Sequence, residues 1–449
     1  MKKKFKLKLS VWQFLALGYL AVILLGSVLL VLPFAAKDGQ PTGYLDALFT
    51  ATSATCVTGL APLDTGVHWS YFGQIVILLM IQTGGLGFMT FVSAMFLLIK
   101  KNIGLYERQA MIVSGGSSKY AGIKPLIVRI FIGTAAFEFA GAFILCFRFV
   151  PDFGWGNGIY YSVWHSISAF CNAGFDLMGA EGYGSLSRYV NDPLVTLTIS
   201  ALVIIGGIGF CVWGDITDSR FNPKKFQLNT KVVLTVTAVL LFVSTGLFLL
   251  FERDNPAYGD FNFGEKLLAA IFNATSPRTA GFYTTNPAEL SSSGQVLTVI
   301  LMFIGGNSGS TAGGIKVSTF AVIILGMFPI FRSRRDINIG KKRIDRTLLS
   351  QALAIFTACL MIVVFATMLI CAFEPDLTVT TVLFECVSAL ATVGLSLNVT
   401  PLLSIGSKII LILLMYLGRV GILTLSLALI AKRSTADVRR PIDNTLIIG

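Results

Sequence analysis

The sequence is short of charge and of polar stretches long enough to fold in water. Only 13% of its 449 residues are Asp, Glu, Lys or Arg, against roughly a quarter in a soluble domain. With 54% hydrophobic residues, that scarcity excludes a water-soluble globule and points to an integral membrane protein. Histidine is nearly missing: His68 and His165 are the two present, too few to suggest a zinc centre. Seven cysteines (Cys56, Cys146, Cys171, Cys211, Cys359, Cys371, Cys386) are scattered through apolar sequence, with neither paired metal-ligand spacing nor a disulfide framework. No nucleophile–base pair stands out, which ranks an enzyme last among the function classes. No cleavable signal peptide is apparent, because the apolar run after Lys2, Lys3, Lys4, Lys6 and Lys8 is long enough to span.

What the chain does have is apolar runs, at 11–34, 73–99, 125–150, 193–213, 232–251, 295–331, 348–373 and 408–430. A bilayer core of about 30 Å takes about 20 such residues per helix. Weaker apolar segments of half that length lie near 44–53, 159–170, 264–275 and 378–390. Of 35 Lys and Arg, 25 fall in the N-terminus, 100–124, 214–231, 332–346 and 432–449, beside only seven of 23 acidic residues. The positive-inside rule places all five segments, and both termini, in the cytoplasm. The net charge of +12 is then a matter of topology, with anionic lipid or a cytosolic protein as its partners and no nucleic acid implied.

Between the basic segments one unit recurs four times, as residues 1–99, 100–216, 217–331 and 332–449: span, half-span, glycine turn, span. The turns read TSATCVTGL (52–60), ISAFCNAGF (167–175), ATSPRTAGF (274–282) and VSALATVGL (387–395). Their glycines, Gly59, Gly174, Gly281 and Gly394, are 115, 107 and 113 residues apart. Six residues before each stands a hydroxyl: Ser53, Ser168, Thr275 or Ser388. Two full spans per unit keep successive units parallel, related by an axis along the membrane normal. Non-helical backbone at membrane depth survives only where protein buries it or it lines an aqueous cavity, and four turns converging on one axis meet that condition. The expected fold class is all-α integral membrane: eight transmembrane helices as four span–pore-loop–span repeats around a central pseudo-four-fold pore.

Each half-span should descend as a short helix ending near its hydroxyl residue. Its C-terminus carries about half a negative charge, so four amount to about two and favour a cation. The chain then returns through Val57-Thr58-Gly59, Asn172-Ala173-Gly174, Thr279-Ala280-Gly281 and Thr392-Val393-Gly394. Glycine tolerates the dihedrals that let carbonyls point inward, and rings of backbone carbonyls replace the hydration shell in potassium filters. Thr392-Val393-Gly394 matches the start of the potassium-channel filter; the other three are degenerate, and the second filter glycine is missing everywhere. Cys56 and Thr58 look incidental to this backbone task.

In these repeats and filter glycines the sequence resembles the Trk/Ktr/HKT superfamily of cation transporters over nearly its whole length. Within that superfamily it is most similar to the membrane subunits of bacterial Ktr potassium-uptake systems (KtrB type). There a serine in place of the first filter glycine goes with sodium selectivity, so Gly59 implies potassium uptake, with sodium as the candidate stimulating ion. The resemblance implies a bacterial cytoplasmic membrane, a homodimer, and a cytosolic nucleotide-binding ring (KtrA type) docked below. This chain's own cytoplasmic segments are too short to form such a domain. The segments 100–124, 214–231 and 332–346, with the C-terminal tail, are the expected docking surface. No cofactor is implied beyond the transported potassium.

Two further features fall below the turns. The second span of the third unit is broken by Gly305, Gly306, Asn307, Ser308, Gly309, Ser310, Thr311, Ala312, Gly313 and Gly314. Each glycine costs about 1 kcal/mol in a helix, which makes the segment an irregular loop. It is no phosphate loop, since Ile315 separates Gly314 from Lys316. It reads as a gate, and the resemblance implies the same. The shorter runs GGLG (84–87) and GGIG (206–209) read as helix packing. Arg419, about eleven residues from either end of its span, is too deep to snorkel. It reads as a fixed positive barrier facing the pore, as the resemblance also implies. Glu138 needs a partner, Arg278 reads as a brace for the third turn, and His165 and Glu385 read as satisfied helix residues. The alternative function is a secondary transporter that binds a small organic solute at mid-membrane, which predicts two inverted halves.

Overall fold

The computed structural model describes residues 10–87, 123–259, 261–331, 337–339 and 342–421. The N-terminal lysines, most of the 100–124 segment, the 432–449 tail and the expected continuations of two spans past 87 and 421 lie outside these residues. The described chain is helical apart from one antiparallel hairpin, Ile337–Ile339 with Lys342–Ile344. Four helices, Val11–Val31, Ile127–Phe170, Leu228–Phe251 and Arg346–Phe373, are long and apolar enough to cross a membrane; a bent pair makes a fifth candidate. Their large side chains face outward: Leu25 is 68% exposed, Phe139 75%, Phe242 84% and Met361 68%. No aqueous solvent tolerates such a surface. The molecule is a multi-pass membrane protein.

Each unit begins with one of these long helices and continues into a short one. The short helices of the first, third and fourth units are Tyr44–Cys56, Phe263–Thr275 and Val379–Ala391, of 13 residues each, or about 20 Å. In the second unit the long and short helices are joined as Ile123–Phe170, with a break at Gly154 (φ 77°, ψ 170°) soon after Pro151. Proline removes a backbone donor and clashes with the preceding turn, so the expected separate segments 125–150 and 159–170 meet there as a corner.

The short helices are buried on every side towards their ends. In Tyr44–Cys56 every residue from Phe49 to Cys56 is buried, and the hydroxyls make this possible by bonding within the helix. Thr50 Oγ1 donates to Asp46 O at 2.8 Å, and Thr52 Oγ1 to Leu48 O at 2.7 Å. The short helices also end later than their hydroxyl residues in three units, at Cys56, Phe170 and Ala391, and at Thr275 itself in the third.

The second helices depart most from the sequence expectation. Three were expected as continuous spans over 73–99, 193–213 and 408–430. Instead Tyr71–Gly85 ends at Gly87 (φ 84°), Pro193–Ile208 turns by 88° into Phe210–Asp218 at Gly209 (φ 103°), and Ile405–Val420 ends at Gly421 (φ 89°). In the third unit Ser292–Phe303 and Val317–Phe331 are separated by a non-helical segment. Among the described residues, a glycine at positive φ follows the end of this helix in the first, second and fourth units, and a glycine-rich stretch follows it in the third.

The units close into a ring. Tyr71–Gly85 touches the second unit's long helix, Pro193–Ile208 touches Phe263–Thr275, Ser292–Phe303 touches Val379–Ala391, and Ile405–Val420 touches Tyr44–Cys56. The closure between fourth and first units packs Phe49 and Cys56 in one buried apolar cluster with Leu411, Leu414 and Met415, and adds two polar contacts. Lys408 Nζ pairs with Asp46 Oδ1 at 2.9 Å, and the Tyr416 hydroxyl donates to Ala16 O at 2.7 Å. Lys408 is mostly buried, so Lys408→Met should destabilise the detergent-solubilised protein by about 1 kcal/mol. Adding Asp46→Asn to it should cost little more, a coupling that a double-mutant cycle of thermal unfolding measures.

Candidate functional site: the ring of glycine turns

Past each short helix the backbone makes the same three moves. Val57, Asn172, Thr279 and Thr392 are left-handed (φ 59°, 59°, 70° and 51°), the next residue is not, and the glycine is again at positive φ (96°, 69°, 77° and 93°). Alternating hand turns successive carbonyls towards one side of the chain. Three of the four left-handed residues are β-branched, a strained choice costing about 1–3 kcal/mol each, and such strain concentrates at functional sites.

The four turns meet, in chain order. A Cβ placed on Gly59 would lie 2.6 Å from Ala173 O and 3.1 Å from Gly174 Cα. One on Gly174 would lie 2.8 Å from Gly281 Cα and 2.9 Å from Ala280 O, and one on Gly281 2.6 Å from Val393 O and 3.4 Å from Gly394 Cα. On Gly394 it would strike Thr58 O and sit 2.8 Å from Gly59 Cα, which closes the circle. Among the described residues, no carbonyl of the four tripeptides accepts a hydrogen bond. Buried carbonyls without partners are costly, and a desolvated cation is the partner they suit.

The hydroxyl residues hold the turns. Ser53 Oγ accepts from Gly59 N–H at 3.0 Å and Ser388 Oγ from Gly394 N–H at 3.1 Å. In the second unit Ser168 Oγ and the Trp164 indole donate to Phe175 O, at 2.8 and 3.0 Å. In the third unit Ser276, not the expected Thr275, donates to Phe282 O, because Thr275 Oγ1 is turned back to Ile271 O at 2.8 Å.

Beneath the ring lies the 305–314 segment. Asn307 N–H donates to Gly207 O at 3.0 Å, Asn307 Nδ2 to Ile208 O at 2.9 Å, and Phe210 N–H to Gly309 O at 2.8 Å. The loop is thereby stitched into the break of the second unit. Gly305 N–H donates to Ile315 O at 3.0 Å and Ser310 Oγ to Asn307 O at 2.6 Å, so the loop closes on itself. Thr311 Oγ1 reaches up to Asn172 Oδ1 at 2.8 Å, and a Cβ on Gly313 would run into the Thr392 hydroxyl. Ser308 and Gly314 continue the stretch, Gly314 at φ 66°, and Ala312 is buried.

Arg419 completes the layer. Its guanidinium donates to Thr311 O in the loop and to Gly84 O and Gly85 O of the first unit. All three partners are carbonyls, so the side chain is solvated by dipoles and its positive charge is not cancelled. The run GGLG, read from sequence as helix packing, therefore also supplies acceptors. It packs too: Cβ atoms on Gly84 and Gly85 would clash with Thr55 O and the Cys171 side chain.

Of the other residues singled out by sequence, Glu138 is held by Gln82 Nε2 at 3.1 and 3.2 Å. Glu385 accepts from Ser396 and, at 3.1 Å, from Thr400, satisfied as expected; His165 Nδ1 donates to Tyr161 O at 2.7 Å, but its buried Nε2 finds no partner among the described residues, so it is only half satisfied. Arg278 is buried, with Nη2 on Thr237 Oγ1 at 3.3 Å. Sequence reasoning passed over Lys316, whose Nζ bonds to Ala312 O at 2.9 Å. Its only signal was a lone lysine at the end of an apolar-flanked glycine stretch.

Comparison with known proteins agrees with this architecture. The family model described as "TrkH: Cation transport protein" matches residues 18–437. The chain is 38% identical to the potassium/sodium uptake protein NtpJ of Enterococcus hirae, covering 100% of this chain and 99% of that one. It is 39% identical to the Ktr system potassium uptake protein B of Bacillus subtilis, covering 96% and 95%. Its fold matches the crystal structure of the potassium transporter TrkH from Vibrio parahaemolyticus with a TM-score of 0.74 at 20% identity, over 96% of this chain and 87% of that one.

The ring generates a test of its own crowding. Gly174→Ala should lower stability by roughly 1–3 kcal/mol, read as thermal unfolding of the purified protein. Gly182→Ala, at a similar φ of 80° but with nothing within 4 Å, should cost only the backbone part, about 1 kcal/mol.

Proposed function

From the premise that the chain belongs to the TrkH family of cation transport proteins, we propose that it carries potassium across the cytoplasmic membrane of a bacterium. The observation that supports this best is the closed ring of four glycine turns whose carbonyls have no partner among the described residues. Carbonyls at 57–59, 172–174, 279–281 and 392–394 form the selectivity filter, in four span–pore-loop–span units that make eight crossings. The Thr58 and Thr392 hydroxyls, buried and without hydrogen-bond partners, add oxygens to the same layer, so Thr58 is more than incidental. Gly59 leaves the first wall free of a side chain, which suits potassium, and sodium is the candidate stimulating ion.

The 305–314 loop with Arg419 is the gate. Flux requires the loop to leave Asn172 and Gly207, and Arg419 holds it through Thr311. The uncancelled guanidinium sets a barrier to cations below the filter. Working as a homodimer, the chain docks a cytosolic nucleotide-binding ring on its basic cytoplasmic face, to which Arg220, Lys224, Lys225 and Lys231 belong. Three relatives bear names that place them in a Ktr system.

Radiotracer rubidium uptake into proteoliposomes tests the reading. The wild-type chain should take up rubidium and be inhibited by potassium far more than by sodium. Gly59→Ser should bring the two inhibitors closer together, and unchanged competition would sink the filter assignment. Deleting residues 307–312, or replacing Arg419 by Ala, should raise the flux several-fold; an unaltered flux in folded protein would remove both from the gate.

A further inference from the structure

Arg278 stands immediately before the third turn and is 7% exposed. Apart from the long bond to Thr237 its Nε–H has no protein partner, and no carboxylate among the described residues pairs with it. The nearby C-terminal end of Phe263–Thr275 offers about half a negative charge and leaves the rest uncompensated. A buried charge in that state is costly unless something pairs with it.

Arg278 lines a cavity of about 10 Å³ together with Val203, Ile208, Thr237, Thr275 and Gly306. That is room for one water-sized particle, and it excludes any lipid headgroup. Its lining is mostly apolar, and besides Arg278 two of its residues carry donors that find no acceptor among the described residues. Thr237 Oγ1 receives the arginine bond and has its own proton to give, and the Gly306 N–H finds no acceptor among the described residues. The Thr275 hydroxyl spends its proton on Ile271 O. Unspent donors beside an unneutralised guanidinium favour an anion over water, which would bring protons of its own to place.

We propose that this cavity binds one small monovalent anion of the chloride class, held by Arg278 Nε–H, the Thr237 hydroxyl and the Gly306 amide. The anion supplies the counter-charge that the protein omits. It joins the wall of the second unit, the third short helix and the first residues of the 305–314 loop. Resting on the transport reading above, it also cancels the positive field of Arg278 beside Thr279, Ala280 and Gly281, so those carbonyls hold a cation more tightly.

Crystals of the full chain grown in bromide should show an anomalous peak in the cavity beside Arg278; density for water alone, without that peak, overturns the proposal. Exchanging gluconate for chloride at constant potassium should lower the melting temperature of the wild-type protein by several degrees. It should not do so in Arg278→Gln, and chloride stabilisation that persists undiminished in that variant also overturns the site. If Arg278→Gln fails to fold, Thr237→Val should weaken the apparent chloride affinity several-fold, and an unchanged affinity counts against the assignment. In proteoliposomes, gluconate should raise the rubidium concentration for half-maximal uptake at least three-fold. A bromide peak in a protein that carries no rubidium would support the anion site while defeating the transport reading.

Discussion

Everything in this structure depends on four stretches of backbone approaching one another without side chains between them. Gly59, Gly174, Gly281 and Gly394 each lie where a Cβ would collide with the neighbouring turn. A methyl at any one would push its neighbour out and open the circle. In lipid the hydrophobic effect does not drive helices together, and close packing through small residues takes its place. The same rule operates one layer lower. Gly84, Gly206 and Gly418 each bring the second helix of their unit against the carbonyl at the end of its short helix, at Thr55, Phe170 and Leu390. The short helices are buried all round because second helices flank them, and their ends are thereby fixed where the turns must begin.

The repeat, its glycines and its hydroxyl residues were legible in the sequence because they obey spacing, and spacing survives when chemistry drifts. The turn Asn172-Ala173-Gly174 shares little with Thr392-Val393-Gly394 beyond its final residue, yet both adopt the same alternation of φ. What could not be read was contact. Glu138 gave no sign that Gln82, in another unit, would hold it, since neither belongs to a periodic pattern. The left-handed residues were hidden as well: Val57 is a poor choice for positive φ by local preference, and only the assembled ring imposes it. Gly87, Gly209 and Gly421 take positive φ inside or beside glycine runs that the surrounding apolar sequence made look like parts of uninterrupted spans.

The serine brackets show how near-symmetry works at the level of single bonds. Ser53 and Ser388 accept from the glycine amide, whereas Ser168 and Ser276 donate to the carbonyl that follows. A hydroxyl can do either, so one residue type fixes the turn in all four units although the bond runs in opposite directions. The substitution of Ser276 for Thr275 in that role shows that the constraint acts on the position of an oxygen and not on a place in the sequence.

Below the ring the symmetry is broken on purpose. The runs Gly84-Gly85, Gly206-Gly207, Gly305-Gly306 and Gly418-Arg419 occupy corresponding places, and only the last replaces a glycine by a charge. In the same layer, among the described residues, only the third unit carries a long loop. The two exceptions bond to each other, Arg419 to Thr311 O, and each also reaches a regular unit: Arg419 the carbonyls of Gly84 and Gly85, the loop those of Gly206 and Gly207. A layer that coordinates an ion gains from four equivalent walls, because carbonyl dipoles add when they point at one place. A layer that opens, as proposed above for this one, would gain nothing from equivalence, since four identical latches would have to release together. On the gating proposed above, confining the exceptions to one loop and one arginine would leave a single seam to part while the ring above keeps its shape.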